Sequence, residues 1–231
     1  MIQAKNISKK YGSTEVLNIQ NLDIPKGQSL GLVGNNGAGK TTFFNILLDL
    51  IRPTSGSISN HNVTVNESEQ WKTFTGSFID ETFLIGYLTP QEYFDFVGEL
   101  RGMNKADIQS FLKQFEEFFN DEILGKKKYL RDLSKGNQKK VGIVAAMMGN
   151  PQVVILDEPF ANLDPTTQIR LKNLIKNLTN EKDVTVLVSS HDLSHVTEVC
   201  ERIVVLEKGN LVKDIQTSPE TLKELESYFS A

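Results

Sequence analysis

The chain has 231 residues, enough to bury a sizeable core in one large domain or two small ones. Hydrophobic residues make up 39% and charged residues 23%, and no run approaches the roughly 20 apolar residues that a bilayer-spanning helix needs, so the chain is not expected to cross a membrane itself. A formal net charge of −4 argues against a nucleic-acid surface, and a single cysteine, Cys200, excludes an internal disulfide.

From the start, MIQAKNISKKYGSTEVLNIQNLDI lacks the apolar centre of a signal peptide, which together with the lone cysteine predicts a cytoplasmic location. The stretch alternates like a small sheet, with turns at Gly12 to Ser13 and Pro25 to Gly27. Ser29 to Val33 then reads as a buried strand and Thr41 to Leu50 as a helix. Between them Gly34, Asn35, Asn36, Gly37, Ala38, Gly39, Lys40 and Thr41 carry G-x-x-x-x-G-K-[ST], the phosphate loop called Walker A. Glycines let the backbone curl so that successive N–H groups converge on one point, to which the following helix adds the positive end of its dipole. Lys40 supplies a point charge for the outer phosphates, the Thr41 hydroxyl is placed to ligate Mg²⁺, and Thr42 can hydrogen-bond a phosphate nearer the sugar. The strand–loop–helix context separates this motif from an ordinary glycine-rich turn.

Short strands follow at 57–58, 63–65 and 75–79, and the character changes near Tyr87. LTPQEYFDFVGELRG opens with Thr89 as N-cap, Pro90 at the first helical position and Glu92 closing a capping box, and KADIQSFLKQFEEFFN reads as a second helix. Residues 88–130 thus form a helical insertion. Its Phe94, Phe96, Phe111, Phe115, Phe118 and Phe119 have core spacing but exceed what a small helical layer readily hides, which leaves room for a docking surface. Beyond them, strands 153–156 and 184–189 alternate with helices 165–179 and 192–199, the punctuation of a mostly parallel sheet with helices on both faces. The first of these strands, VVILDE, ends in two carboxylates, the layout called Walker B. Asp157 at its tip would hold Mg²⁺, and Glu158 would polarise an attacking water as general base. A hairpin, RIVVLEKGNLVKDI, and a capped helix after Ser218 and Pro219 complete the pattern.

LSKGNQKK, residues 133–140, resembles LSGGQ, the signature of the ABC ATPases. The resemblance covers nearly the whole chain: Tyr11 at the position that stacks adenine, GNNGAGKTT, the helical insertion, the signature, VVILDEP, ANLDP, and His191 after LVSS. It implies an α/β P-loop NTPase fold, a RecA-like core with a mostly parallel sheet, an N-terminal antiparallel β-subdomain and an inserted α-helical subdomain. Residues 1–231 would be a single domain, with the helical subdomain at 87–149 and the core and β-subdomain in 1–86 and 150–231. It implies ATP and Mg²⁺ as cofactors. Ser134, Gly136 and Asn137, at the start of the signature helix, would receive the γ-phosphate of ATP held by a second subunit, whether a second copy or a homologous ATPase. The active unit is then a head-to-tail pair with two sandwiched nucleotides. Asn162 to Asp164 would cross the seam and His191 would contact the γ-phosphate, while His61 and His195 read as structural.

Three departures stand out. Lys135 and Asn137 replace a glycine and the glutamine of the signature, and Lys135 does not readily adopt φ > 0, so the loop either avoids that conformation or is strained. The glutamine expected between core and helices is missing, and aligning TGSFIDETF puts Asp80 there as a further Mg²⁺ ligand, with Glu81 next. Residues 126–140 hold seven basic residues and one acid, a solvated charge run that would also favour the partner's anionic nucleotide.

The resemblance points to the ATP-binding subunit of an ABC transporter, peripheral on the inner face of the membrane through a separately encoded permease. YLTPQEYFDFVGELRGM is similar to the exporter-like group, so export is the expected direction. ABC ATPases of chromosome maintenance separate Walker A from the signature by a long coiled coil, and those of translation fuse two cassettes. A small-molecule kinase would lack the signature and carry an arginine-rich lid. The sequence shows none of these, and the transported substrate belongs to the permease. Some of Phe78, Phe83, Tyr87, Phe94 and Phe115, on a rim spanning residues 75–119, are expected to line a groove for a short cytoplasmic helix of that permease.

Overall fold

The computed structural model describes residues 1–182 and 184–230. A long hairpin, β1 (Ile2–Tyr11) and β2 (Thr14–Ile24), precedes β3 (Ser29–Val33), which runs through the phosphate loop into α1 (Lys40–Leu47). β4 (Ser55–Asn60), β5 (Val63–Thr64) and β6 (Thr75–Phe78) follow. The helical insertion comprises α2 (Pro90–Leu100), α3 (Lys105–Lys113), α4 (Glu116–Phe119) and α5 (Lys135–Ala146). The chain then alternates through β7 (Val153–Leu156), α6 (Pro165–Lys182), β8 (Thr185–Ser190) and α7 (Leu193–Val199), and ends with the hairpin β9 (Arg202–Glu207) and β10 (Asn210–Gln216) and with α8 (Thr221–Ser230).

All ten strands join one sheet in the order β5-β4-β1-β2-β10-β9-β3-β8-β7-β6. From β9 to β6 every pairing is parallel, whereas β1, β2, β4 and β5 form an antiparallel lobe. A single residue pair, Asn210 with Asn18, joins the two halves of the ladder. Alternation along the buried strands divides the apolar residues between two cores: Val153 and Ile155 face α1 and the lobe, and Val154 and Leu156 face the helical insertion and α6.

Several boundaries differ from the sequence reading. The strand expected at 57–58 extends over Ser55–Asn60 because β1 supplies a pairing edge, and Val65 leaves β5 to bury its side chain. The helix expected across KADIQSFLKQFEEFFN breaks between Lys113 and Glu116, a turn that lets Phe115, Phe118 and Phe119 all enter the core. Phe94 is buried there as well, so Phe94 and Phe115 do not line a groove, and among the six insertion aromatics Phe96 is the exposed one. The capping box is present, with Thr89 accepting from the Glu92 N–H and Glu92 accepting from the Thr89 N–H. Nor is the basic run uniformly solvated: Lys139 and Lys140 are buried, and Lys140 pairs with Glu122 at 2.9 Å.

Two glycines set how closely α5 lies on edge strand β6. A Cβ on Gly76 would sit 1.8 Å from the Ala146 carbonyl oxygen, and one on Gly142 would sit 2.2 Å from the Phe78 ring. Among the described residues no helix is long and apolar enough to cross a membrane.

Candidate active site

The C-terminal ends of β3, β6, β7 and β8 converge, and each delivers polar groups to one place. Gly34, Gly37 and Gly39 all have positive φ, and a side chain on Gly34 would strike the Leu206 carbonyl oxygen, so the phosphate loop requires glycine there. Lys40, buried, folds back to donate to the Gly34 carbonyl at 2.7 Å and lies 3.5 Å from Glu158 Oε1. The loop is tied outward by two backbone bonds in series: Gly209, in the β9–β10 turn, donates to the Ala38 carbonyl, and Asn18, in β2, donates to the Gly209 carbonyl. Tyr11 stands exposed at the hairpin end of β1, with Lys9 Nζ 4.9 Å from its ring centroid.

Asp157 is buried at the tip of β7 and accepts from two hydroxyls, Thr41 Oγ1 at 2.6 Å and Ser189 Oγ. Burial pushes its carboxyl above the usual carboxylate range, against the pull of those hydrogen bonds. Such an under-neutralised carboxylate beside a hydroxyl is an oxygen set that suits Mg²⁺, which characteristically takes one or two carboxylates and leaves its other positions to phosphates and water. Among the described residues no group of three or more His, Cys, Asp or Glu side chains forms a metal cage of its own. Thr41 and Asp157 therefore fit the ion only together with a nucleotide.

Glu158, one residue on, has φ 45°, a left-handed backbone uncommon outside glycine. Its Oε2 lies 2.9 Å from His191 Nδ1, and its N–H donates to Ser189 Oγ at 2.9 Å. Ser189 is thus shared between both Walker B acids, a role the sequence reading missed. Its signal was present in TVLVSS, an apolar strand closing on two hydroxyls immediately before His191. Asp80 sits at the end of β6, which pairs in parallel with β7, but its carboxylate accepts from the Thr82 N–H at 2.7 Å, and the Thr82 hydrogen bonds hold it below the usual range. The neighbouring Glu81 is the acid that reaches toward Walker B, through Lys139.

The signature lies at the start of α5. Ser134 is the N-cap, its Oγ accepting from the Asn137 N–H at 3.2 Å, and Lys135 is an exposed first-turn residue without positive φ, so the loop avoids the strain that position raised. Gly136 faces the Asn162 carbonyl oxygen, 2.9 Å from where a Cβ would be. Among the described residues no hydrogen bond or ion pair joins residues 134–137 to residues 34–42. His195 stacks on Phe160 at 4.5 Å and His61 packs edge-on against Phe74 at 5.0 Å, both structural placements.

The sequence profile of the ABC transporter family matches residues 17–161. The chain is 34% identical over 224 residues to the bacitracin transport ATP-binding protein BcrA of Enterococcus faecalis, covering 94% of this chain and 70% of that protein. It is 37% identical over 212 residues to the uncharacterized ABC transporter ATP-binding protein YhaQ of Bacillus subtilis, covering 92% and 70%. Against the methionine import ATP-binding protein MetN of Francisella tularensis it is 30% identical over 223 residues, covering 92% and 63%. Among solved structures, a dimeric ATP-binding cassette in a post-hydrolysis state bound to ADP and Pi matches with a TM-score of 0.83 at 26% identity, over 94% of this chain and 99% of that one. With a phosphate loop, a paired-acid strand end and a signature helix assembled on one sheet, the chain belongs to the ABC transporter family, as one of the ATP-binding subunits that hydrolyse ATP to power transport.

Proposed function

We propose that this subunit works as half of a head-to-tail dimer that closes on two Mg-ATP, and that it drives a separately encoded membrane permease in the direction of export. The observation that carries the dimer is the division of the site: phosphate loop, Asp157, Glu158 and His191 form one cluster, while Ser134, Gly136 and Asn137 open a helix that makes no bond to the phosphate loop of its own chain. The first turn of a helix suits an anion, and the γ-phosphate on a partner's loop would supply one. The dimeric cassettes among the similar structures support a working pair.

Within one half, Tyr11 stacks the adenine and residues 34–42 take the phosphates, with Lys40 leaving the Gly34 carbonyl for the outer ones. Thr41 and Asp157, with Asp80 beyond the end of β6, would hold Mg²⁺, which would neutralise phosphate charge. Glu158 accepts the proton of the attacking water, and His191, hydrogen-bonded to Glu158, contacts the γ-phosphate. Asn162 to Asp164 cross the seam.

The permease surface is a groove of about 330 Å³ between β6, α2 and α5, lined by Phe78, Phe83, Leu84, Tyr93, Val97 and Arg101. Phe83 is 60% exposed, and the adjacent Tyr87 is 71% exposed beneath the Arg131 guanidinium. Aromatic anchors of this kind suit an apolar helix of a membrane protein. The protein would then sit in the cytoplasm, held at the membrane by that contact. Export rests on the resemblance of residues 87–103 to the exporter-like group.

The test is Glu158→Gln. Loss of the base with Asp157 intact should leave Mg-ATP binding in place and lower turnover by about a hundredfold or more. The ATP-loaded variant should elute as a dimer in size-exclusion chromatography. Elution as monomer alone overturns the sandwich.

A further inference from the structure

The glycine crossing of α5 on β6 carries Lys139, one turn nearer the helix start than Gly142, past the end of β6 and over the end of β7. There its buried Nζ donates to the Glu158 carbonyl oxygen at 2.8 Å, lies 3.7 Å from Glu81 Oε1 and sits 6.0 Å from the Phe78 ring centroid. Glu81 Oε1 is itself buried without a hydrogen bond, so the Lys139 ammonium is the charge that balances it. The left-handed turn at Glu158 is a conformation that a non-glycine residue keeps only when its surroundings hold it. Both flanking peptide groups are held: Ser189 Oγ takes the N–H, and the carbonyl accepts from Lys139 Nζ at 2.8 Å and, at the longer distance of 3.3 Å, from the Ala161 N–H.

We propose that Lys139 is a positioning residue for hydrolysis: by gripping the Glu158 carbonyl it fixes the turn that aims the Glu158 carboxylate at His191 and Lys40, with Glu81 as its counter-ion. This rests on Glu158 being the general base. The contact also makes the base sensitive to the helical insertion, because Lys139 rides on the signature helix and Glu81 on the segment that continues into the permease groove.

Three variants of the full chain decide it. Lys139→Met removes donor and charge; Lys139→Arg keeps a cation able to reach a carbonyl; Lys139→Met with Glu81→Gln removes both charges, so that neither is left buried alone. Steady-state ATPase kinetics, binding of a fluorescent ATP analogue with Mg²⁺, and thermal unfolding are measured on each. The methionine variants should lose about tenfold to a hundredfold in kcat, the effect of deleting a hydrogen bond from a charged donor, with KM and nucleotide affinity nearly unchanged. The double variant should recover the melting temperature but not kcat, and the arginine variant should recover most of kcat. Native kcat in a folded Lys139→Met or in the double variant overturns the proposal, reducing Lys139 to a partner for Glu81. If Lys139→Met does not fold, the double and arginine variants decide by the same criteria. The outcomes separate from those for the base: a Glu158→Gln enzyme that still turns over removes the underlying reading, whereas an inactive one beside a fully active Lys139→Met removes only the role of Lys139.

Discussion

Asp157 shows how a single residue trades stability for chemistry. Burial raises its carboxyl in the folded chain, so the fold binds a proton there more tightly than the unfolded chain does. Stability from this group is therefore present below the unfolded carboxylate range near pH ~4 and is lost as pH rises through the folded value. Above the folded value the nucleotide-free protein carries that cost, and Asp157→Asn removes it. Calorimetry at pH 7 should show the nucleotide-free variant at least as stable as the native chain, with the difference shrinking toward pH ~4, while stabilisation by Mg-ATP disappears. A lower melting temperature for nucleotide-free Asp157→Asn at pH 7 would count against a destabilising charge. The residues of the phosphate loop and Walker B were legible because their chemistry demands fixed types at fixed spacing. Ser189, Glu81 and Lys139 were not, since their roles depend on which strand ends lie side by side.

The element that organises the site is α5, and its seat on β6 depends on the absence of side chains at Gly76 and Gly142. Gly142→Ala isolates the effect. Alanine would favour the helix by about 1 kcal/mol, yet its Cβ would enter the Phe78 ring, and overpacking of this kind costs about 1–3 kcal/mol. Urea unfolding should show net destabilisation with an unchanged m-value, and a stabilised variant would mean that helix and strand separate easily. Turnover should fall too, because any lift of α5 carries Lys139 away from Glu158. Neither glycine announced itself in the sequence. GIVAA reads as ordinary helix, and only the crossing strand makes its glycine obligatory. Thr89, Pro90 and Glu92, by contrast, named the start of α2 correctly, since capping is settled within four residues.

For the whole molecule, the two cores separate labour. One packs the phosphate loop helix and the antiparallel lobe, and the other packs the helical insertion against the opposite sheet face. The groove is lined from both cores, by Leu48, Trp71 and Ile79 of one and Phe78 of the other, so a test charge belongs at its exposed lip, where it should disturb partner binding first. Phe83→Asp, at a position already mostly exposed, is expected to keep the native melting temperature and nucleotide affinity while copurification of the permease and transport are lost. A folded variant that still captures the permease and transports would place the docking surface elsewhere. The backbone relay from Ala38 through Gly209 to Asn18 bears on the lobe as well. The sheet ladder joins its halves through one residue pair at that very point, while a shared apolar core and the Arg202 bond to the Asp23 carbonyl supply the rest of the attachment. A nucleotide that stacked on Tyr11 while cradled by the loop, as proposed, would span this seam like a rivet. Local opening of the lobe and departure of ATP would then be thermodynamically linked events, and β1, β2, β4 and β5 of the empty subunit would stand most open to proteases.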